Sequence, residues 1–208
     1  MTVTYDDERH AYTVNGKRVP SVTEITGILT ADKYSGGNDA VLAQAQRRGT
    51  EVHELCEQID CGIPVEEMEI APELVGYVQA YINFLQDWNP EWDYLEKIVY
   101  TDSFAGRADR IGRIDGKTVI ADIKTTASMD RLSKLALAAQ LYGYAVAWCD
   151  MDPGHTAQRL FGIQLKKDGK YTLHEYSKIM DSYYDSSLGM ALTWAELSAI
   201  ARLIGGYQ

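Results

Sequence analysis

The spacing of apolar and polar positions changes several times along the chain, and each change marks an element. Residues 2–19 alternate on either side of Asn15-Gly16, a dipeptide suited to a two-residue turn, and predict a β-hairpin. In "PSVTEITGIL" the period lengthens to that of a helix, and Ser21 and Glu24 form an S-x-x-E capping box ahead of Ile25, Ile28 and Leu29. Gly36-Gly37 reads as a loop. Residues 39–60 predict a long helix with Val41, Leu42, Ala45, Val52, Leu55 and Ile59 on its apolar side. Gly49 interrupts it at a cost of about 1 kcal/mol relative to Ala, so either the helix breaks there or something approaches closely. A further helix is expected over about 72–88, with Pro72 near its start.

"EWDYLEKIVYT" alternates and is rich in β-formers, so it reads as a strand. Two more strands follow around Asp115-Gly116. A helix comes next, with Leu132, Leu135, Ala136, Ala139 and Tyr142 as its apolar positions. A second hairpin turns at Asp168-Gly169, and a closing helix covers about 178–203. This order predicts an α/β fold with a mixed sheet and helices packed around it. No repeat, linker or low-complexity stretch divides the 208 residues, so one domain is expected. Within it we expect an N-terminal hairpin over 1–20, a helical part over 21–90, a sheet core over 91–175 and a C-terminal helix over 176–208.

Composition narrows the function classes. No stretch is apolar for about 18 residues, and the N-terminus lacks the basic and apolar regions of a secretion signal, so a cytoplasmic protein without membrane contact is expected. The three cysteines, Cys56, Cys61 and Cys149, fit neither zinc nor iron–sulfur spacing. The net charge of −10 argues against non-specific nucleic-acid binding. A site that gathers metal ions on carboxylates must itself be acidic, however, and bound ions reverse the local sign.

The stretch from Gly106 to Ser128, "GRADRIGRIDGKTVIADIKTTAS", carries the candidate chemistry. With Asp115-Gly116 as the turn, Ile114 faces Lys117, and counting back places Asp109 opposite Asp122. Their Cβ atoms are then about 4.5–5.5 Å apart. Lys124 shares the face of Asp122, while Val119, Ala121 and Ile123 point to the other face and read as core. Two opposed carboxylates repel and push one of the pair toward protonation. A divalent cation between them removes the conflict, since Mg²⁺ and Mn²⁺ take hard oxygen ligands. The competing reading is two solvated surface aspartates with Lys124 nearby by chance.

Other motifs settle the choice. Gly106-Arg107-Ala108-Asp109 fits G-x-x-D, Asp122-Ile123-Lys124 fits (D/E)-x-K, Gln140 and Tyr144 fit Q-x-x-x-Y, and Gly49 with His53 fits G-x-x-x-H. In this order they resemble the RecB-like branch of the PD-(D/E)XK nuclease superfamily, which includes phage exonucleases such as lambda exonuclease. The resemblance runs from about residue 10 to about 165. It implies a PD-(D/E)XK core with a mixed central β-sheet flanked by helices, elaborated by the N-terminal hairpin and the helical part.

The resemblance also implies roles. Asp109 and Asp122 become metal ligands, with the Ile123 carbonyl as a third and His53 facing the metal. Lys124 orients the attacking water and the phosphate. Glu96, on the preceding strand, lies near the metals, and Gln140 and Tyr144 line the site and contact the lysine or the DNA. Glu57 shares the His53 face of its helix. Arg47, Arg48 and Arg107 are candidates for a basic path along the DNA.

The expected cofactor is Mg²⁺ or Mn²⁺, as one or two ions, with no iron–sulfur cluster. The expected activity is a DNase, of the phage exonuclease type, acting on linear duplex or single-stranded DNA. A single-strand annealing or recombination protein is a candidate partner, and a homo-oligomer is compatible with the sequence. Two other readings remain open at this point. One is a protein that binds DNA ends or a recombination partner without cutting. The other is an endonuclease or an RNase of the same superfamily.

Overall fold

The computed structural model describes residues 2–7, 9–31, 39–185 and 189–207. Gly36-Gly37 lies outside them. The N-terminal sequence forms three strands instead of a single hairpin: β1 (Val3–Asp6), β2 (Ala11–Val14) and β3 (Lys17–Val19), all antiparallel in that order. The Asn15-Gly16 turn joins β2 and β3 as expected, with both residues at positive φ. "VTYD" supplies a further strand, because it alternates in phase with "AYTV" and pairs Tyr5 with Tyr12.

Helix α1 (Val22–Gly27) begins at the capping box. The Glu24 N–H donates to Ser21 Oγ at 3.0 Å, and the Ser21 N–H donates to Glu24 Oε2 at 2.7 Å. Helix α2 (Asp39–Asp60) runs unbroken through Gly49, and α3 (Val75–Trp88) follows. A Cβ at Gly49 would have Thr125 Oγ1 as its neighbour at 3.7 Å, an ordinary contact, so backbone approach does not require the glycine.

The central sheet has five strands in chain order: β4 (Glu91–Tyr100), β5 (Ala105–Ile114), β6 (Lys117–Lys124), β7 (Arg159–Leu165) and β8 (Tyr171–Glu175). β6 and β7 are parallel, joined by α4 (Arg131–Met151), and the other pairs are antiparallel, so the sheet is mixed. Helix α4 covers one face, where Leu137 and Leu141 meet Ile111, Ile120 and Leu160. Helices α2 and α3 cover the other, where Val52, Tyr81 and Phe84 meet Ala121, Ile123 and Phe161. Each such fully buried side chain is worth about 1.5–3 kcal/mol, so the two cores clamp the sheet from both sides.

The small sheet is pinned to the large one. Ala105 N–H donates to Pro20 O at 3.1 Å, Ser21 bridges to Ala105, and Tyr12, Val14 and Val19 pack on Ala105. This contact sets the N-terminal strands beside the start of β5.

Three expected apolar positions are exposed: Val41 (62%), Leu132 (50%) and Leu135 (37%). The buried stretch of α4 begins at Leu137, so its first turn lies outside the helix–sheet contact. The closing helix is also divided. A 3₁₀ turn, Ser177–Met180, and a short α5 (Asp181–Tyr184) precede α6 (Gly189–Gly205). Among the described residues no helix is long and apolar enough to cross a membrane.

Candidate active site

Asp115 and Gly116 both have positive φ, as a two-residue turn between twisted strands requires. The β5–β6 register then runs from Ile114–Lys117 to Arg110–Ala121, the register that sets Asp109 opposite Asp122. The paired ladder stops there, and the Asp109 side chain takes over one of its bonds. Its Oδ2 accepts the Ile123 N–H at 2.7 Å. On the other side of Asp109, the β4–β5 register sets it opposite Glu96, which makes no ladder pair and has φ of +48°. A left-handed glutamate inside a strand is strained by about 1–3 kcal/mol, and such strain persists only where the surroundings impose it.

These irregularities bring ligand atoms together. One atom each from His53, Glu96 and Asp109 lies within 4.8 Å of the others. His53 reaches the cluster from α2. Its Nδ1 is 3.5 Å from Asp109 Oδ2, and its Nε2 is 3.0 Å from Ile123 O, where it must carry the proton to make that bond. Two carboxylates, an imidazole and the neighbouring Ile123 carbonyl form a mixed oxygen and nitrogen donor set, which suits a divalent cation.

Asp122 stands beside this cluster with a different set of partners. It is 1% exposed, and its Oδ2 pairs with Lys124 Nζ at 2.7 Å. Its Oδ1 accepts from Gln140 Nε2 at 2.8 Å, and Gln140 also donates to the Tyr144 hydroxyl at 2.8 Å. The β6–α4–β7 crossover produces this contact, because it lays α4 over the face of β6 that carries Asp122. Burial raises the Asp122 carboxyl and Asp109 adds to the rise, with Lys124 opposing. Burial, then Asp109, push Glu96 up to about 7 against the pull of His53, Arg107 and Arg110.

Gly106 has a steric reason. A Cβ there would meet Tyr144 Cε1 at 2.7 Å and Val22 Cγ2 at 2.9 Å, so only glycine lets α4 and α1 sit this close to β5. Residues 62–185 match the PD-(D/E)XK nuclease superfamily, more than half of the chain. The chain belongs to this superfamily.

Three solved structures align with this PD-(D/E)XK chain. The crystal structure of SSO0001 is 17% identical, with a TM-score of 0.44 over 92% of this chain and 79% of that one. An alkaline exonuclease (LHK-Exo) from Laribacter hongkongensis is 11% identical, with a TM-score of 0.33 over 88% of each chain. LHK-Exo in complex with dAMP is 12% identical, with a TM-score of 0.34 over 89% and 91%. No curated protein sequence matches significantly.

The other candidate residues are placed as follows. Arg107 is half exposed and holds Glu96 Oε2 at 3.1 Å. Glu57 lines a hollow of about 390 Å³ with Gly49, His53 and Glu96. Arg48 donates to Thr125 O at 3.2 Å and lies over the Tyr77 ring, while Arg47 is exposed.

Sequence reasoning missed a buried network behind the site. Arg110 is 0% exposed. Its Nε donates to Asp60 Oδ2 at 2.6 Å, and its Nη1 donates to Asp109 O at 2.8 Å and approaches Glu96 Oε1 at 3.4 Å. The Tyr81 hydroxyl donates to the same Asp60 oxygen at 2.7 Å. Burial works against the Arg110 charge, but Tyr81 and Asp60 outweigh it and raise its pKa. Asp60 is raised by burial, with Arg110 the main opposing influence. One signal was available: Arg110 shares the core-facing parity of Ile114 on β5, and a guanidinium there demands a buried acid.

Proposed function

We propose that this protein is a divalent-metal-dependent deoxyribonuclease, an exonuclease of the phage type that acts on DNA ends in recombination, repair or degradation. The observation that carries the reading is the His53, Glu96 and Asp109 cluster next to the Asp122–Lys124 pair. In this reading His53, Glu96, Asp109 and Asp122, with the Ile123 carbonyl, hold Mg²⁺ or Mn²⁺, and the imidazole favours Mn²⁺. A divalent ion there supplies Lewis-acid stabilisation of phosphate charge and a water of lowered pKa.

The chain's own groups do the rest. Lys124 Nζ, fixed by Asp122 and one-third exposed, orients the water and neutralises a phosphate oxygen. Gln140 holds Asp122 and is itself held by the Tyr144 hydroxyl. Arg107 stands at the mouth, where it exchanges Glu96 for a phosphate.

The test is digestion of linear DNA labelled at each end in turn, with a circular control, in Mg²⁺ and in Mn²⁺. Wild type is expected to release label from linear DNA only. Lys124→Ala and Asp122→Ala are each expected to lose about 10²–10³-fold in rate, the loss seen when one stabilising group of a developing charge is removed. Wild-type rates in both variants would place the chemistry elsewhere, and cutting of the circle would make the enzyme an endonuclease.

A further inference from the structure

The catalytic cleft does not end at the metal cluster. It encloses about 450 Å³ and reaches Tyr5, Arg9 and His10 of the N-terminal sheet. Tyr5 and Arg9 also line a second hollow of about 250 Å³, which extends to Arg18. Arg18 in turn lines a third hollow of about 330 Å³ with Lys17 and Tyr207. The three hollows thus border on shared residues, from Asp109 and Asp122 by way of Tyr5 and Arg9 to Arg18 and the end of α6.

The chemistry along this path differs from that of the chain as a whole. In a protein of net charge −10, it gathers Arg9, Lys17 and Arg18, all exposed, with Arg107 at its catalytic end. Two of the acids nearby are already engaged, while exposed Asp7 lies near enough to Arg107 to raise its pKa. Asp6 accepts the Arg9 N–H at 3.1 Å and lies 3.8 Å from its guanidinium. Glu24 takes the Ser21 N–H and the Tyr207 hydroxyl. Aromatic rings alternate with the cations. Tyr5 packs on Tyr12 with centroids 4.7 Å apart, and Tyr207 lies under Arg18. His10, at φ +47°, is held in a left-handed conformation, its Nδ1 2.8 Å from the Tyr5 hydroxyl and its ring exposed at the cleft.

We infer that one strand of the nucleic acid runs from the cleft over the N-terminal sheet as a single strand, with Arg9 and Arg18 on its phosphates and the His10 ring against a base. Cations spaced among aromatic rings are the recognition chemistry of unpaired strands, since every base has a π-face and every nucleotide a phosphate. Asp122 and Asp109 line the cleft at 1% and 6% exposure, so a strand must reach deep into it to meet them. The inference rests on the nuclease reading for the identity of the ligand, not for the path.

The experiment is equilibrium binding of a fluorescein-labelled single-stranded oligonucleotide to the full chain across a salt series, with Ca²⁺ in place of Mg²⁺. Arg9→Ala and Arg18→Ala should each lower the slope of log K against log[salt] by about 0.7, and the double variant by about 1.4. His10→Ala should weaken binding roughly five- to hundred-fold, the stacking increment of one base. An abasic nucleotide at the matching position should weaken wild type equally and leave His10→Ala unaffected.

Lys170→Ala, an exposed cation at the β7–β8 turn, is the control and should change neither slope nor affinity by as much. Unchanged slopes in the Arg9 and Arg18 variants, or an equal drop in the Lys170 variant, would overturn the path. So would failure of wild type to bind the single strand. Cleavage of the same oligonucleotide in Mg²⁺ is scored separately. Path-dependent binding without cleavage would sink the nuclease reading alone, and cleavage without path dependence would sink this inference alone.

Discussion

Replacing Arg110 with methionine removes a permanent charge from beneath the acid cluster while roughly keeping its volume. Three contacts are lost: Asp60 at 2.6 Å, the Asp109 carbonyl at 2.8 Å and Glu96 at 3.4 Å. Asp60 is then a buried carboxylate with only Tyr81 as a partner among the described residues. Breaking a buried pair in this way costs about 3–5 kcal/mol. Asp60 has an escape, because it can take up a proton. Burial already holds its pKa above the ordinary value, and Arg110 is the main influence pulling it down. In Arg110→Met the folded pKa therefore rises further above the unfolded one.

The sign follows from linkage. A raised carboxyl contributes stability that is present below its unfolded pKa and is lost as pH rises through the folded pKa. The deficit of the variant should therefore grow from pH 5.5 to pH 8.5, by up to about 1.4 kcal/mol per pH unit while the folded pKa exceeds the pH. Adding Asp60→Asn removes the stranded charge and should recover about 2 kcal/mol at pH 8, since neutralising both partners of a buried pair is far milder than removing one. Urea unfolding followed by tryptophan fluorescence measures all three proteins at each pH. A deficit under 1 kcal/mol at pH 7.5, or a deficit constant across the range with no recovery in the double variant, would refute the reasoning.

Two glycines make opposite predictions. Gly106→Ala forces a Cβ to within 2.7 Å of the Tyr144 ring and should cost about 1–3 kcal/mol in urea unfolding, with a fall in cleavage rate because Tyr144 supports Gln140 and Asp122. Gly49→Ala meets only an ordinary contact inside an unbroken helix and should raise stability by about 1 kcal/mol in the same assay; a loss would show that the backbone there is under another constraint.

The parts legible in the sequence were those fixed by short-range rules. The Asp115-Gly116 turn admits one register, so the placement of Asp109 relative to Asp122 followed from counting. The Ser21–Glu24 capping box fixed the start of α1. The chain's membership of the PD-(D/E)XK superfamily also stood in the motifs, and the superfamily match supports it. What escaped was set by distant parts of the chain. The Arg110–Asp60 pair spans 50 positions, and no local pattern joins a strand arginine to the last residue of a helix. The positive φ of Glu96 leaves no mark in the alternating pattern of β4. Leu132 and Leu135 misled because helical periodicity marks a face but not where the sheet beneath it ends.

The bond from the Ile123 N–H to Asp109 bears on how an inactive form of this protein should be made. Asp109→Ala would strand a buried amide without an acceptor, a loss of about 1–3 kcal/mol, and would confound a dead site with a weakened sheet. Asparagine at the same place keeps a carbonyl oxygen for that amide while giving up the negative charge. An acid built into the backbone's own bonding can be silenced cleanly only by a residue that still serves the backbone.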